Sequence, residues 1–345
     1  EPPDEVTPAD EKTPPAPVEL GDPRAVAPTA WGPAVGGDAQ RTALFEQVRA
    51  NPLDAQGYTQ LSEHFEVAGD MARASLMLEI SRALDGDPNA APRAPRLILT
   101  EEDRSSLKHP SLRGDAGELL SLVGVVLCRL NPARGREAGS DEEFTLEAGR
   151  GAKAVADAML TAVRVLGVRA PDVYLTPEAG PPLALVYTTE PRVLVGRLAV
   201  KKEVSEAELR FFAGRVLFTQ QPELLALRNL RREQLLRGLV LVSQVAEGRA
   251  SSAELKLFRD WVPGRSWERM RQLVRSVGAN VELASLVEGA RHSANRAGLV
   301  VCGGIAPALA SLRAKRALPS EMVELVRFAA SERHLQLRNR SLPGR

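Results

Sequence analysis

Apolar residues recur at helical spacing along most of the chain. Leu209, Phe212, Ala213 and Val216 stand at i, i+3, i+4 and i+7, which predicts a helix over 206–221 with one buried face. Similar patterns predict helices over 146–166, 224–244 (as one helix or two), 252–261, 266–277, 281–290, 307–316 and 320–334. The pattern is therefore that of a predominantly helical protein.

The helix over 206–221 has the clearest boundaries. Ser205 is placed to cap its first turn, and Glu208, three residues later, completes a capping box. Pro222 is expected to end the helix, because proline lacks the backbone N–H that the next turn needs. This helix is the element around which we expect the core to form.

The clearest strand signals occur in one region. Residues 172–175, 183–188 and 192–196 are short, rich in β-branched and aromatic residues, and separated by Pro/Gly turns. Three such strands can form a small sheet. The predicted fold class is thus α+β, predominantly helical, with a small β-sheet.

The N-terminal third divides into two parts. Residues 1–37 are rich in proline and acidic side chains without apolar periodicity, which predicts a disordered linker. Residues 38–90 instead show the pattern of a helical hairpin, with a break at Asn51-Pro52 and a turn at Gly69-Asp70. A third unit, 100–340, contains the remaining predicted helices and the sheet.

The hairpin resembles a tetratricopeptide repeat. Large residues at Tyr58, Leu61 and Phe65, a small residue at Ala74 and a closing Pro88 fall at the positions that this repeat uses. It departs from the repeat where serines replace the usual small apolar residues. One such unit cannot bury its apolar face alone, so it docks on the following domain or ends a longer array.

Composition narrows the class of protein. The formal charge of +1 gives no electrostatic reason to expect nucleic-acid or membrane binding. The two cysteines, Cys128 and Cys302, show no ligand or disulfide spacing, which fits a reducing compartment and a cytoplasmic location.

The longest apolar run, 119–128, is about half of a membrane span. Because the chain starts at Glu1, we expect a processed product or a piece of a longer polypeptide.

The order of elements over 146–308 resembles the zinc metallopeptidases of the CAAX-prenyl-endopeptidase and heat-shock-protease type. In that family a small sheet precedes a helix with the motif E-L-x-x-V-x-x-H-E-x-x-H, and a later helix carries E-x-x-A-D. Glu208, Leu209 and Phe212 match the start of the first motif. Ala294 and Gly298 match the surroundings of the second. The resemblance implies a zincin-like domain following the hairpin.

The residues that would bind and use zinc in such an enzyme are replaced. The two histidine positions and the intervening glutamate correspond to Arg215, Thr219 and Val216. The third ligand corresponds to Arg291, and the following aspartate to Asn295. A fixed positive charge opposes dication binding, so we expect no metal or other cofactor at these vestigial positions.

Arg215 itself has two interpretations. It could replace the metal's charge as a buried group paired with Glu288 or Asn295 on the second helix. Alternatively, it could lie on a solvated flank of its helix, with its aliphatic stem covering apolar surface. The sequence favours the solvated flank.

Other chemical signals are weak. The basic runs 228–237 and 313–340 lack aromatic partners and are interleaved with acids such as Glu321, Glu324 and Glu332, which indicates solvated helix faces. No G-x-S-x-G motif or phosphate loop is present.

We therefore expect a non-catalytic protein-interaction or scaffold module, a pseudo-peptidase at the end of a helical-repeat protein. The expected partner is a protein that the sequence does not identify, and neither nucleic acid nor a membrane span is expected. The oligomeric state stays open. The alternatives are a hydrolase or peptidase with an unrecognised site and a helical nucleic-acid-binding domain.

Overall fold

The structure of this protein, a computed structural model, describes residues 39–87, 94–134, 150–176, 181–200, 204–278 and 281–341. The predicted linker over 1–37 lies outside these residues, as does most of the predicted loop over 133–142.

The described part of the chain is predominantly helical, as the sequence predicts. Its helices are α1 (Ala39–Ala50), α2 (Ala55–Val67), α3 (Met71–Asp85), α4 (Glu101–Leu107), α5 (Asp115–Leu130), α6 (Arg150–Leu166), α7 (Arg197–Val200), α8 (Glu206–Phe218), α9 (Pro222–Asn229), α10 (Arg232–Ala246), α11 (Ser252–Trp261), α12 (Trp267–Val277), α13 (Leu283–Cys302), α14 (Ile305–Ala314), α15 (Pro319–Ala329) and α16 (Glu332–Ser341).

The predicted small sheet is also present, with three strands: β1 (Asp172–Thr176), β2 (Leu183–Tyr187) and β3 (Pro191–Gly196). Their spatial order is β1-β3-β2. The central strand β3 pairs in parallel with β1 and antiparallel with β2. Strand β2 is therefore at one edge of the sheet, and it contacts α8 and α9.

Helix α8 lies at the centre of the molecule. It begins with the predicted capping box, in which the Ser205 hydroxyl accepts from the Glu208 N–H and the Glu208 carboxylate accepts from the Ser205 N–H. It ends at Phe218, and Pro222 begins α9 instead of stopping α8. Every residue from Leu209 to Phe218 is buried, because α6, α13, α14 and β2 pack around it. The sequence pattern predicts one buried face for this helix, whereas in the structure all of its faces are buried between Leu209 and Phe218.

Helix α13 is longer than its sequence pattern predicts. The predicted end at Ala290 is wrong, since the helix continues to Cys302. Gly298 allows its close packing on α8, because a Cβ atom there would lie 2.8 Å from Arg215 Cγ and from Phe211 Cδ2. Among the described residues, α8 and α13 form the most extensive contact between two elements.

The region predicted as one helix over 320–334 is divided into α15 and α16. The Ser331 hydroxyl accepts from the His334 N–H and donates to the Phe328 carbonyl, so it caps the start of the second helix. The region over 224–244 likewise forms α9 and α10, one of the two arrangements that the sequence leaves open.

The predicted hairpin forms from α2 and α3, and Gly69 (φ +77°) makes the turn. The two serines that depart from the repeat pattern are buried and hydrogen-bonded. Ser62 Oγ donates to the Ala74 carbonyl over 2.8 Å, and Ser81 Oγ lies 2.7 Å from Thr59 Oγ1. These bonds satisfy hydroxyls that would otherwise be costly to bury.

The hairpin packs on the C-terminal helices. Glu79 of α3 accepts a hydrogen bond from the Ile305 N–H at the start of α14 and forms an ion pair with Arg338 of α16. Arg73 pairs with Glu332 over 2.7 Å. One apolar core extends without a break from the hairpin to α16. The segment over 94–100 adds Leu97 and Leu99 to this core.

Candidate functional site

A cleft of about 230 Å³ opens between the edge strand β2 and helix α8. It is lined by Pro181, Leu183, Ala184, Leu185, Phe212, Arg215, Val216, Thr219, Arg228, Ala294 and Lys315. This lining contains three cationic side chains and no carboxylate. We call it the cationic cleft.

Arg215 forms the buried side of the cationic cleft. It is only 9% exposed, so the interpretation as a solvated flank is wrong. Among the described residues no carboxylate pairs with it, and its Nε has no hydrogen-bond partner. Burial lowers the pKa of Arg215 to about 9, and repulsion from Arg228 contributes, while Glu321 opposes the shift. The guanidinium remains protonated at neutral pH, and its ring contact is with Phe211, whose centroid is 5.6 Å from Cζ.

Two further cations line the same cleft. Lys315, at the C-terminal end of α14, has a side chain that is 23% exposed. Burial lowers its pKa to about 8, and the charge of Arg215 adds to the effect. Arg228 of α9 keeps contact with solvent, yet desolvation within the cleft and repulsion from Arg291 lower its pKa. The three groups thus raise the positive potential around one another.

A single carboxylate balances part of this charge. Glu321 of α15 is 4% exposed, and its Oε2 accepts from Asn295 Nδ2 over 2.9 Å and from Lys315 Nζ over 3.0 Å. Burial by itself raises the pKa of Glu321, but the Asn295 hydrogen bond, Lys315 and Arg215 together lower it below its ordinary value. Glu321 is therefore ionised at neutral pH.

Four of the five vestigial positions lie on the two packed helices α8 and α13, and Thr219 directly follows α8. Arg215, Val216 and Thr219 line the cationic cleft. Asn295 reaches Glu321 from α13, while the half-buried Arg291 affects Arg215 only through its charge. Because α8 packs on α13, these positions belong to two neighbouring elements of the core.

Zinc does not fit these groups. The Thr219 hydroxyl donates to the Arg215 carbonyl over 2.7 Å, and the Asn295 amide donates to Glu321. Neither the Thr219 nor the Asn295 side chain has the imidazole nitrogen or carboxylate oxygen that binds zinc, and the positive charge of Arg215 repels a metal cation. Among the described residues, no group of three or more His, Cys, Asp or Glu side chains is placed to hold a metal ion.

Three residues of the site were not found by sequence reasoning. Arg228 and Glu321 belong to runs interpreted as solvated helix faces, and Lys315 was not singled out. Glu321 is buried, so that interpretation is wrong for it. The sequence carries one usable signal: Pro319 favours a helix start, which places Glu321 in the first turn of α15. Only the structure shows that α15 packs against α13.

A second polar cluster surrounds two histidines. The rings of His109 and His292 are 5.2 Å apart, and His109 Nδ1 is 2.9 Å from Ser111 Oγ. Burial lowers the pKa of His109 to about 4 and also lowers that of His292. Glu288, considered above as a partner for Arg215, instead lies 3.5 Å from His292 Nε2. This cluster joins α13 to the segment before α5.

Comparisons of the chain with protein-family models, with curated proteins and with solved structures found no match. Within the part of the chain that the structure describes, no helix has the length and apolar character needed to cross a membrane.

Proposed function

We propose that the protein is a non-catalytic interaction module, a pseudo-peptidase whose cationic cleft holds an extended segment of a protein partner. The observation that carries this proposal is the position of the edge strand β2 beside a cleft with Arg215 at its base. The outward Tyr187 carbonyl already accepts from the Ala133 N–H, so the edge of β2 offers backbone donors and acceptors to an added strand at Leu183 and Leu185.

The register of β2 identifies the groups available to such a strand. The Gly196 N–H donates to the Pro182 carbonyl over 2.9 Å, so residues 182, 184 and 186 bond toward β3. Leu183 and Leu185 therefore turn their N–H and C=O groups away from β3. Both residues line the cationic cleft. An extended segment paired with them would lie directly over α8.

The side chains at the base of the cleft support binding without hydrolysis. Arg215 and Thr219 occupy the positions that the resemblance assigns to zinc ligands, and Val216 occupies that of the general base. Valine cannot accept a proton from water, and the Thr219 hydroxyl is engaged with the helix backbone. Positive charge favours an acidic group on the partner segment.

The experiment uses a capped, extended peptide with alternating valine and threonine and one central glutamate. We expect binding by fluorescence polarisation, protection of the Leu183 and Leu185 amides from hydrogen exchange, and no cleavage. The variant Leu185→Pro removes an outward N–H while leaving the β2–β3 hydrogen bonds, so it should weaken binding about 10-fold. Cleavage of the peptide, or binding that Leu185→Pro does not change, would refute the proposal.

A second candidate function is a hydrolase, and Lys315 is the observation that favours it. A lysine with a pKa of about 8 is partly neutral at slightly alkaline pH and can act as a base or nucleophile. The test is hydrolysis of a panel of peptides and esters at pH 8.5. Turnover that Lys315→Gln abolishes would support the hydrolase and exclude the non-catalytic module.

A further inference from the structure

We infer that the base of the cationic cleft is a binding site for a phosphoryl dianion, formed by Arg215, Arg228 and Lys315. This deepens the proposed function, on which it rests for the location of the ligand. The chemical class is a phosphate monoester or inorganic phosphate, carried either by a phosphorylated residue of the partner segment or by a small molecule.

The charges around the cleft call for a doubly negative ligand. The lining contributes Arg215, Arg228 and Lys315, and Arg291 adds positive charge nearby. Glu321 compensates one of these charges through its ion pair with Lys315. Arg215 and Arg228 form no ion pair within the described ranges, and the more distant Glu321 charge only partly offsets the other cations. A dianion would balance both, whereas a carboxylate would balance only one.

Arg215 provides an independent reason to expect a ligand. A guanidinium that is nine-tenths buried and has no paired carboxylate is costly in a folded protein. Its pKa is lowered because burial and the neighbouring cations disfavour the charged form. A bound anion removes this cost, since it supplies the negative charge and the hydrogen-bond acceptors that no protein group supplies to Arg215 within the described ranges. Phosphoryl oxygens match the planar fork of arginine, which can donate two parallel hydrogen bonds.

The rest of the lining strengthens this interaction. Leu183, Phe212 and Val216 give the cleft apolar walls, which lower the local dielectric and strengthen attraction between an anion and the cations. The volume of about 230 Å³ far exceeds the roughly 15 Å³ that one water molecule needs. The cleft therefore has room for a phosphoryl group and part of the molecule that carries it.

The direct test is calorimetric titration of the full chain with inorganic phosphate at low ionic strength and pH 7.5. We expect saturable binding that Arg215→Met weakens about 30-fold or more and Arg228→Met weakens about 5-fold. The matched control is Arg259→Met, which removes an exposed arginine of α11 outside the cleft and should change the affinity less than 2-fold. Equal losses in all three variants, or no phosphate binding, would overturn the inference.

Loss of binding must be separated from loss of folding. Removing the unpaired charge should leave Arg215→Met at least as resistant to heat as the wild type when phosphate is absent. If this variant does not fold, Arg228→Met compared with Arg259→Met decides the question alone. Arg215→Lys keeps the charge but loses the planar fork, so its affinity should lie between those of the wild type and Arg215→Met.

A second titration identifies the carrier and keeps the two proposals apart. The peptide described above is compared with a version in which phosphoserine replaces the glutamate. Tighter binding of the phosphopeptide, lost in Arg215→Met, supports a phosphorylated partner. If phosphate binds and neither peptide does, the dianion site stands, its carrier is a small molecule, and the proposed function fails. If both peptides bind equally and phosphate does not, the proposed function stands and the phosphoryl site fails.

Discussion

Asn295 Nδ2 donates a hydrogen bond of 2.9 Å to Glu321 Oε2, and both side chains are almost fully buried. This contact joins α13 to α15 behind the cationic cleft. It also accounts for an amide at a position where the peptidase resemblance places an aspartate. An aspartate there would face the Glu321 carboxylate in a desolvated environment.

Asn295→Asp should therefore destabilise the protein by about 2–4 kcal/mol at pH 7. The two facing carboxylates share a proton with a pKa raised above its value in the unfolded chain, so the loss should shrink as the pH falls through that raised pKa. Urea unfolding at pH 7 and pH 5 measures both effects. The control is Asn229→Asp, because Asn229 donates only to the Leu225 carbonyl over 3.0 Å and should lose about 1 kcal/mol. Equal losses in the two variants would contradict the prediction.

Gly298→Ala tests the close packing of α13 on α8. The added Cβ would lie 2.8 Å from Arg215 Cγ and from the Phe211 carbonyl oxygen, which cannot move without shifting the helix backbone. We expect a loss of about 1–3 kcal/mol in the free energy of unfolding, despite the higher helix propensity of alanine. Gly264→Ala, where a Cβ meets open space, should stay within about 0.5 kcal/mol. A stabilised Gly298→Ala variant would show that the two helices are not this close.

The pKa of Lys315 predicts a rise in stability with pH. Its pKa is about 8 in the folded chain, against an ordinary value of 10.5. Between these values the unfolded chain binds more protons than the folded chain, so the free energy of unfolding increases with pH. Compared with Lys315→Met, the wild type should gain on the order of 1 kcal/mol between pH 7 and pH 10, after allowance for solvent screening. If the stability difference between the wild type and Lys315→Met stays constant or falls over this pH range, the pKa of Lys315 is not lowered by folding.

Glu79→Ala tests how the hairpin is held. The variant removes both the acceptor for the Ile305 N–H and the partner of Arg338. We expect a loss of about 1–2 kcal/mol in the free energy of unfolding, because a donor at the start of α14 is left without its bond. The control Glu63→Ala removes an exposed carboxylate from α2 and should change stability by less than about 0.5 kcal/mol. Chemical denaturation of both variants decides the result.

Local signals in the sequence were sufficient for much of the fold. The capping box at Ser205 and Glu208, the three strands and the hairpin turn at Gly69 depend on residues within a few positions of one another. The predictions from sequence were wrong where elements distant in the chain determine the surroundings of a residue. The continuation of α13 past Ala290 is one example, since Gly298 and the small residues around it weaken the helical pattern, whereas in the structure they allow close packing on α8.

In the candidate site, what the sequence determines and what the tertiary structure decides can be separated more clearly. The sequence by itself determined that the side chains at the positions that the resemblance assigns to a zinc site, among them Arg215, Thr219 and Asn295, lack zinc-binding chemistry. Only the tertiary structure decided that Arg215 is buried and that Arg228 and Lys315 share its cleft. A helical pattern records which face of a helix is apolar, whereas the burial of a charge depends on what other elements place around it. Three cations from α8, α9 and the end of α14 line one cleft because those elements pack together. The spacing of these residues along the chain does not predict that they are close in space.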